Sequence, residues 1–326
     1  WELSEISSGV IMRLDLLHNL GFDYDVDDFT LKPITLRDGD EATLWFHEPT
    51  GHGILASEFW VEEDFYSEKY RDEFSADSEG KRKKSEEHFH IYKELNDRQF
   101  NLFKDKLTSE TKFLEIGCAH GGIVSRVNDF GVKECQVVEP NIQDSDFVKY
   151  KNPNVIVHNS ILKDADLPKD YFDIIVAFDV VEHDFQPKNF LKKCFDLLNK
   201  NGILVIAIPN HDDVLLTQYD CKEYQKFYYH KAHINYFTKQ SIVDLCQSVG
   251  FAGYVDSFLD YSFFNHVHWQ QNNKPMSSAD KAFVGDVTKN EVINEFYKRV
   301  EKEYEDLINS KMLGGALIYT GVKENV

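Results

Sequence analysis

The sequence has few cysteines, no long apolar run and a shortage of positive charge. Its five cysteines are odd in number, widely spaced and without any C-x-x-C pair, which argues against a disulfide framework and against a zinc knuckle. We therefore expect a reducing compartment, by default the cytoplasm. The longest uninterrupted apolar run, Ile203 to Pro209, is far shorter than the roughly 20 residues that a membrane-spanning helix needs, so no membrane span is expected.

Acidic residues dominate the charge of the chain. Its 326 residues include 56 Asp and Glu against 36 Lys and Arg, which gives a net charge of −20 at pH 7. Phosphate backbones bind Lys- and Arg-rich surfaces, so we expect no nucleic acid partner. A hydrophobic content of 42%, with 14% aromatic residues, excludes a disordered chain, because such chains cannot bury enough apolar surface to offset the ordering entropy.

The N-terminal part of the chain is predicted to form two segments. Residues 1–60 combine short apolar runs with turn signals, which predicts a strand-and-turn extension or cap. The chain starts with Trp1 and has no initiator methionine or apolar leader. We therefore expect no signal peptide, and the extension to be a substrate cap, a homodimer contact or the tail of a larger polypeptide. Residues 61–107 are predicted to be helical and to flank the ligand pocket of the domain that follows.

From about residue 108 to residue 326, short apolar strands alternate with helices. The predicted strands are 113–117, 136–139, 155–157, 172–178 and 203–208, and the helices between them include 123–130 and 188–200. Near-continuous apolar strands with helical connections indicate a parallel sheet covered on both faces. Later elements are predicted as a helix at 239–249 closed by Gly250, a strand at 253–260, a charged helix at 277–309 and a strand at 315–322.

The predicted fold class is therefore α/β, with a doubly wound, mostly parallel seven-stranded sheet at 108–326. The N-terminal extension precedes this domain, and a lid insertion at about 210–238 follows its fifth strand. Insertions at this point lie at the carboxyl ends of the strands, where ligands bind. The predicted lid residues are Tyr228, Tyr229, His230 and Tyr236; the alternative is that these side chains pack the lid's own core.

A glycine-bearing turn follows the first predicted strand, in Glu115-Ile116-Gly117-Cys118-Ala119-His120-Gly121-Gly122. Glycines let the backbone approach a ligand, and the helix that follows presents its N–H groups. The spacing half-matches the G-x-G-x-x-G of nicotinamide-binding proteins. However, Glu115 would repel a pyrophosphate, whereas it would attract the ammonium group of an amino acid. Glu139 ends the second strand, where a carboxylate can accept hydrogen bonds from both hydroxyls of a ribose.

These motifs resemble those of class I S-adenosylmethionine-dependent methyltransferases, within the bacterial group that acts on sugars, glycans and small metabolites. The resemblance covers residues 111–251 and rests on seven blocks in family order. The blocks are Leu114–Gly121, Val138–Pro140, Phe172–Ile175, Val180–His183, Leu197–Leu204, Pro209-Asn210, and His233–Thr238 with Leu245 and Gly250-Phe251. An NAD-dependent epimerase or dehydrogenase is disfavoured, because Tyr66 and Lys69 have the wrong spacing for a Tyr-x-x-x-Lys pair.

The resemblance implies that S-adenosylmethionine is the cofactor. Gly117 and Gly121 are then expected to bracket its amino acid portion, Glu139 to hold the ribose, and residues 159–161 to contact the adenine. The predicted cofactor-binding residues are Glu115, Gly117, Cys118, Ala119, Gly121, Glu139, Pro140, Asn159, Ser160, Ile161, Phe178 and Asp179. Ala119 stands where the family usually has glycine, which is tolerated if its φ angle stays negative.

The implied reaction is methyl transfer to an oxygen of a sugar, a glycan or another small polar acceptor by in-line displacement. A hydroxyl is a poor nucleophile, so a general base is needed. His183, directly after the fourth strand, is the first candidate and His233 the second, while Asp179 is available to orient a histidine. The alternatives are methyl transfer to nitrogen of an amino sugar or metabolite, and a non-catalytic interaction module.

No metal site is predicted from the sequence. His47 and His52 are one residue too far apart for an H-E-x-x-H motif, and Pro49 and Gly51 disfavour the helix that would align them. His266 and His268 are predicted to share one face of a strand, but no further ligands can be named for them.

Overall fold

Two sheets organise the residues that the computed structural model describes, which are 17, 20–62, 65–68, 84–219, 221–276 and 288–324. The strands are β1 (Phe29–Thr35), β2 (Glu41–His47), β3 (His52–Leu55), β4 (Lys112–Ile116), β5 (Glu134–Val138), β6 (Ile156–His158), β7 (Phe172–Phe178), β8 (Leu198–Pro209), β9 (Asn235–Tyr236), β10 (Phe251–Phe258) and β11 (Ala316–Lys323). The helices are α1 (Phe65–Glu68), α2 (Ser85–Ile91), α3 (Lys93–Asn101), α4 (Gly122–Phe130), α5 (Ile142–Lys151), α6 (Pro187–Leu197), α7 (Val214–Thr217), α8 (Lys222–Tyr228), α9 (Lys239–Val249), α10 (Phe263–Asn272) and α11 (Glu291–Ser310).

The larger sheet has seven strands in the order β10-β11-β8-β7-β4-β5-β6. The strands from β8 to β6 run parallel to one another, and β11 is antiparallel to both of its neighbours. Successive side chains point to opposite faces of a strand, so Phe113 and Leu114 belong to different core clusters. Both faces are therefore buried, which confirms the predicted doubly wound, mostly parallel α/β fold.

Local turn chemistry sets the ends of the helices around this sheet. Helix α4 ends at Gly131, whose φ is +102°, and α9 ends at Gly250, whose φ is +111°. Glycine adopts this left-handed conformation without a steric penalty. The predicted helix at 239–249 therefore has the observed bounds. Among the helices within the described ranges, none has the length and apolar character that crossing a bilayer requires.

The smaller sheet joins two distant parts of the chain. Its order is β1-β2-β3-β9, and all of its pairings are antiparallel. Strands β1 to β3 lie in the N-terminal extension, whereas β9 lies in the insertion after β8, with Gly53 opposite Tyr236 and Ile54 opposite Asn235. A third cluster of buried residues, which includes Leu44, Leu55 and Tyr236, packs against this sheet. The extension and the insertion are therefore one packed unit.

The C-terminal elements differ from the prediction. The strand predicted at 253–260 is β10, two residues earlier, and the predicted helix at 277–309 is described from Glu291 onward; residues 277–287 lie outside the described residues. Helix α10 was not predicted. It carries His266 and His268, which were wrongly placed on a strand, and it begins where the Ser262 side chain accepts a hydrogen bond from the Asn265 N–H.

Candidate active site

Two adjoining cavities open at the carboxyl ends of the parallel strands, where ligands bind in open α/β sheets. The first has a volume of about 680 Å³, and the second has a volume of about 400 Å³. Gly117, Asp179 and His183 line both cavities. The strands β4 and β7 thus deliver the residues at the junction, since Gly117 follows β4 directly and Asp179 follows β7.

The first cavity lies beside the end of β5. Its wall includes Glu139 and Pro140 after β5, and Ser160 and Ile161 after β6. Glu139 is 5% exposed, and its carboxylate accepts hydrogen bonds from the backbone N–H of Ala119 at 2.8 Å and of Asn141 at 2.9 Å. These two bonds fix the carboxylate at the rim of the cavity.

The turn between β4 and α4 needs its glycines. Gly117 and Gly121 both have φ of +72°. A Cβ at Gly117 would lie 2.5 Å from Cγ2 of Val180, and one at Gly121 would lie 2.7 Å from Cγ2 of Val148, so a side chain has no room at either position.

Ala119 departs from the expectation for this turn. Its φ is +49°, so the condition that φ stays negative is not met. An alanine in the left-handed region pays a steric cost, and such strain is concentrated at functional sites. Asp179, at the junction of the cavities, is also left-handed, with φ of +56°.

Glu115 is a buried carboxylate on β4. It lines the second cavity, and its Oε2 has no hydrogen-bond partner among the described residues. Burial raises the pKa of Glu115 to about 8, and the negative charge of Glu139 adds to the rise, although a backbone N–H bond from Val124 lowers it.

Ten of the twelve predicted cofactor residues line one or both cavities, namely Glu115, Gly117, Cys118, Ala119, Glu139, Pro140, Ser160, Ile161, Phe178 and Asp179. Gly121 and Asn159 line neither of the two. The amide of Asn159 donates to the backbone oxygens of Glu139 and Pro140, both at 2.9 Å. Asn159 therefore holds the loop after β5 in place, and Gly121 allows α4 to begin.

The second cavity is lined by residues that are far apart in sequence. Arg37 comes from the N-terminal extension, Tyr92 from the helical segment before β4, Tyr228 from the end of α8, and Asp260 and Tyr261 from the loop after β10. Sequence reasoning missed Arg37, Asp260 and Tyr261, because no local motif connects them to the glycine turn. Burial raises the pKa of Asp260 to about 6.

Glu182, His183 and His233 form a cluster in the wall of the second cavity. Nε2 of His183 and Nε2 of His233 each lie 3.8 Å from Oε1 of Glu182. Nδ1 of His183 lies 2.7 Å from the backbone oxygen of Ala232, and only a protonated Nδ1 can donate to a carbonyl. Burial, followed by the neighbouring His230 and His183, lowers the pKa of His233 well below its usual value.

Asp179 belongs to the same wall. Its side chain is exposed to the cavity. The protein around the carboxyl group, followed by the charge of Asp260, raises the pKa of Asp179. Burial and the charge of Asp179 together raise the pKa of Glu182. The wall of the second cavity therefore holds several carboxyl groups close together, and a cation that enters the cavity can pair with any of them.

Of the four predicted lid residues, Tyr228 lines the second cavity and the other three line neither of the two cavities. The Tyr229 hydroxyl lies 3.0 Å from Nε2 of His211. The Tyr236 hydroxyl donates to the backbone oxygen of His230 and accepts from its N–H, both at 3.1 Å. These contacts hold the insertion together.

Comparisons with known proteins match part of the chain to methyltransferases. Residues 87–255 match a family described as a methyltransferase domain. A protein of Mycolicibacterium smegmatis named "Probable S-adenosylmethionine-dependent methyltransferase" is 27% identical over 104 residues, which are 30% of this chain and 37% of its own length. The ubiquinone biosynthesis O-methyltransferase of Bradyrhizobium diazoefficiens is 28% identical over 103 residues, 31% of this chain and 41% of its own length.

The chain thus spans 37–41% of the length of these two curated relatives. Among solved structures, an S-adenosylmethionine-dependent methyltransferase from Archaeoglobus fulgidus aligns with 73% of this chain and 97% of its own, at 20% identity and a TM-score of 0.47.

Proposed function

Since the chain belongs to the S-adenosylmethionine-dependent methyltransferases, we propose that it transfers a methyl group from S-adenosylmethionine to a hydroxyl oxygen of a sugar, a glycan or another small polar acceptor. The observation that carries this proposal is the pair of cavities that share Gly117, Asp179 and His183. The cofactor would span their junction, with its adenine and ribose in the first cavity and its amino acid portion beside Glu115 in the second. The rest of the second cavity offers room for an acceptor. The name of the Bradyrhizobium relative, an O-methyltransferase, supports oxygen as the acceptor atom.

The residues of the cleft suit S-adenosylmethionine. Its ribose carries two hydroxyls, and a fixed carboxylate such as Glu139 can accept hydrogen bonds from them. Its amino acid portion carries an ammonium group, and Glu115 offers a buried carboxylate oxygen that no described residue pairs with. A cation at this point would offset the cost of burying that charge. We therefore assign Glu139 to the ribose, Glu115 to the ammonium group, and Ser160 and Ile161 to the adenine.

When bound, S-adenosylmethionine would supply an electrophilic methyl group, with its sulfur as the leaving group, for attack by the acceptor oxygen. The task of the protein is to orient the acceptor oxygen, to exclude water and to remove the hydroxyl proton. Asp179 and His183 line both cavities, so their side chains border the space in which the two ligands would meet.

The second cavity suits a polar acceptor with a ring. Tyr92, Tyr228 and Tyr261 offer aromatic faces, while Arg37 and Asp260 offer charged hydrogen-bonding groups. Binding sites for small ligands combine an apolar lining with a few polar groups that fix orientation. Because Arg37 belongs to the N-terminal extension, we assign the described part of that extension, residues 20–60, to a cap over the acceptor.

We assign the activation of the acceptor hydroxyl to His183 and His233. With Nδ1 of His183 bonded to the oxygen of Ala232, the ring has its lone pair on Nε2. Such an imidazole can accept a proton, or a cation, at Nε2. In their ionised forms, Asp179 and Glu182 would stabilise the positive charge of the proton or cation that is taken up.

The acidity of the same wall favours one alternative, methyl transfer to nitrogen. Asp179, Glu182 and Asp260 all line the second cavity, and their carboxylates would attract the ammonium form of an amino sugar. Such an acceptor has to lose a proton before its nitrogen can attack, so this reaction needs the same histidines. Acceptor screening separates the two reactions.

The test is calorimetric titration with S-adenosylmethionine, S-adenosylhomocysteine and NAD, followed by methyl transfer to paired acceptors. Each pair consists of a sugar and its amino analogue, and the methylated product is identified by mass spectrometry. We expect micromolar binding of the two sulfur compounds, no binding of NAD, and methylation of the hydroxyl compound. Methylation of the amine alone would favour the alternative. Absence of binding by both sulfur compounds would overturn the proposal and favour an interaction module.

A further inference from the structure

Glu182 is a carboxylate for which the described residues provide no hydrogen-bond donor. It lies in the short helical turn Val181–His183 after β7 and is 1% exposed. Neither of its two carboxylate oxygens has a hydrogen-bond partner among the described residues. An acidic side chain buried without a hydrogen-bond partner is unfavourable whether or not it is ionised, so the fold keeps this side chain at a cost that a ligand would offset.

Two imidazoles converge on one oxygen of this carboxylate. The Nε2 atoms of His183 and His233 each lie 3.8 Å from Oε1 of Glu182, which is too long for a hydrogen bond. One ligand atom from each residue lies within 4.8 Å of the others. Atoms bound to one metal ion at about 2.0–2.2 Å are separated by about 3–4 Å, so small side-chain movements would bring all three into contact with one ion.

The ring of His183 is held in an orientation that suits a metal ligand. Nδ1 of His183 donates to the oxygen of Ala232 at 2.7 Å, and metal-binding histidines commonly donate their other ring N–H to a backbone carbonyl in this way. A ring that donates through Nδ1 can present the lone pair of Nε2 to a metal ion.

We infer that Glu182, His183 and His233 bind one divalent first-row transition-metal ion at the wall of the second cavity. Two nitrogen ligands and one carboxylate suit zinc, iron(II) or manganese(II) better than magnesium or calcium, which prefer oxygen ligands. Three protein ligands leave at least one coordination position for another molecule. Sequence reasoning did not find this site, because His233 is separated from Glu182 by about 50 residues and joins it only in the fold.

The open position would take a hydroxyl oxygen of the acceptor. This part of the inference rests on the proposed function, whereas metal binding does not. A divalent ion lowers the pKa of a bound hydroxyl, so that its proton passes to solvent and its electron pair stays on the oxygen that attacks the methyl carbon. The metal ion would thus perform the activation, with Nε2 of His183 as a ligand and not as a base.

The test uses the whole chain after removal of metals with a chelator. Co²⁺ is titrated and followed by its visible absorption, and Zn²⁺ is titrated by calorimetry. We expect one ion per chain, and binding weakened at least about 100-fold in Glu182→Gln and in His233→Ala. His90→Ala is the matched control, because His90 is exposed and lies outside the cluster; its metal affinity should equal that of the parent chain.

Thermal unfolding of each metal-free variant shows whether it folds. If His233→Ala does not fold, His233→Asn takes its place. Absence of stoichiometric binding, or equal affinity in the parent chain and the Glu182 and His233 variants, would overturn the metal site. Titration of the same samples with S-adenosylmethionine keeps the two proposals apart. Metal binding without cofactor binding would contradict the methyltransferase proposal alone, and cofactor binding without metal binding would contradict the metal site alone.

Discussion

The backbone N–H of Ala119 donates a hydrogen bond to Oε2 of Glu139 over 2.8 Å. The carboxylate that follows β5 therefore also closes the glycine turn that follows β4. Because Ala119 is held in the left-handed region, this bond stabilises a strained part of the turn. One side chain thus links the shape of the turn to the rim of the first cavity.

Replacing Glu139 by alanine should weaken the binding of S-adenosylmethionine by about 1–3 kcal/mol, since ribose hydroxyls would be left unpaired. Calorimetric titration measures the change. Glu139→Gln keeps an acceptor oxygen for the turn and should lose less. Equal affinities in the parent chain and in the alanine variant would contradict the assignment of Glu139 to the ribose.

Replacing Ala119 by glycine should stabilise the protein. The left-handed conformation costs an alanine about 1–2 kcal/mol, while glycine adds about 0.5–1 kcal/mol of backbone entropy to the unfolded chain. The net gain in the free energy of unfolding should be about 0.5–1 kcal/mol, measured by urea denaturation. Ala177→Gly, at a β7 position that does not need a positive φ, should destabilise instead. A loss of stability in Ala119→Gly would show that the turn carries no strain.

Replacing Glu115 by glutamine should change how stability depends on pH. The folded pKa of about 8 exceeds the ordinary 4.5, so between these values the folded state keeps a proton that the unfolded chain loses. The free energy of unfolding of the parent chain therefore falls as pH rises through this window, and the loss is complete above pH 8. Glutamine does not titrate, so the variant should gain about 5 kcal/mol relative to the parent between pH 4.5 and pH 9.

Urea denaturation of both proteins at pH 5 and pH 9 measures this difference. S-adenosylmethionine should reduce it, because its ammonium group would stabilise the ionised Glu115. Parallel pH profiles of the two proteins would mean that Glu115 is ionised in the folded state throughout.

Replacing His183 by alanine should leave the affinity for S-adenosylmethionine intact and lower the turnover number by about 10²–10⁴-fold. The reason is that His183 is assigned to the activation of the acceptor and not to the cofactor. Single-turnover methyl transfer measures the rate, and His268→Ala is the control, since His268 lies on helix α10 and lines neither of the two cavities. Near-normal turnover would move the activating role to His233 alone.

The parts of the candidate site whose residues are close together in sequence could be predicted from the sequence. The glycine turn, the strand before it and the carboxylate of Glu139 all follow from residues within about 25 positions of one another. The sheet followed from near-continuous apolar strands, because burial on both faces leaves that pattern in the sequence. Helix α9 had a clear apolar stripe and a glycine at its end, and its bounds were predicted correctly.

The rest of the site depends on contacts that no local pattern records. Asp260 and Tyr261 reach the second cavity because β10 lies at the sheet edge next to β11, and Arg37 reaches it through the smaller sheet. Helix α10 was missed because its buried face includes Asn265 and His266, which a search for apolar periodicity does not count. The positive φ of Ala119 follows from the hydrogen bond to Glu139, which sequence alone does not reveal.

The pairing of β3 with β9 also has a consequence for the order in which the protein can be assembled during synthesis. Strand β3 is made about 180 residues before its partner β9. Until then its outer edge exposes unpaired backbone groups and the apolar side chains of Leu44 and Leu55 lack their covering layer. Contacts of such long sequence separation form late, and unpaired strand edges promote aggregation. The edge of β3 therefore stays unpaired during synthesis until the insertion that carries β9 has been made.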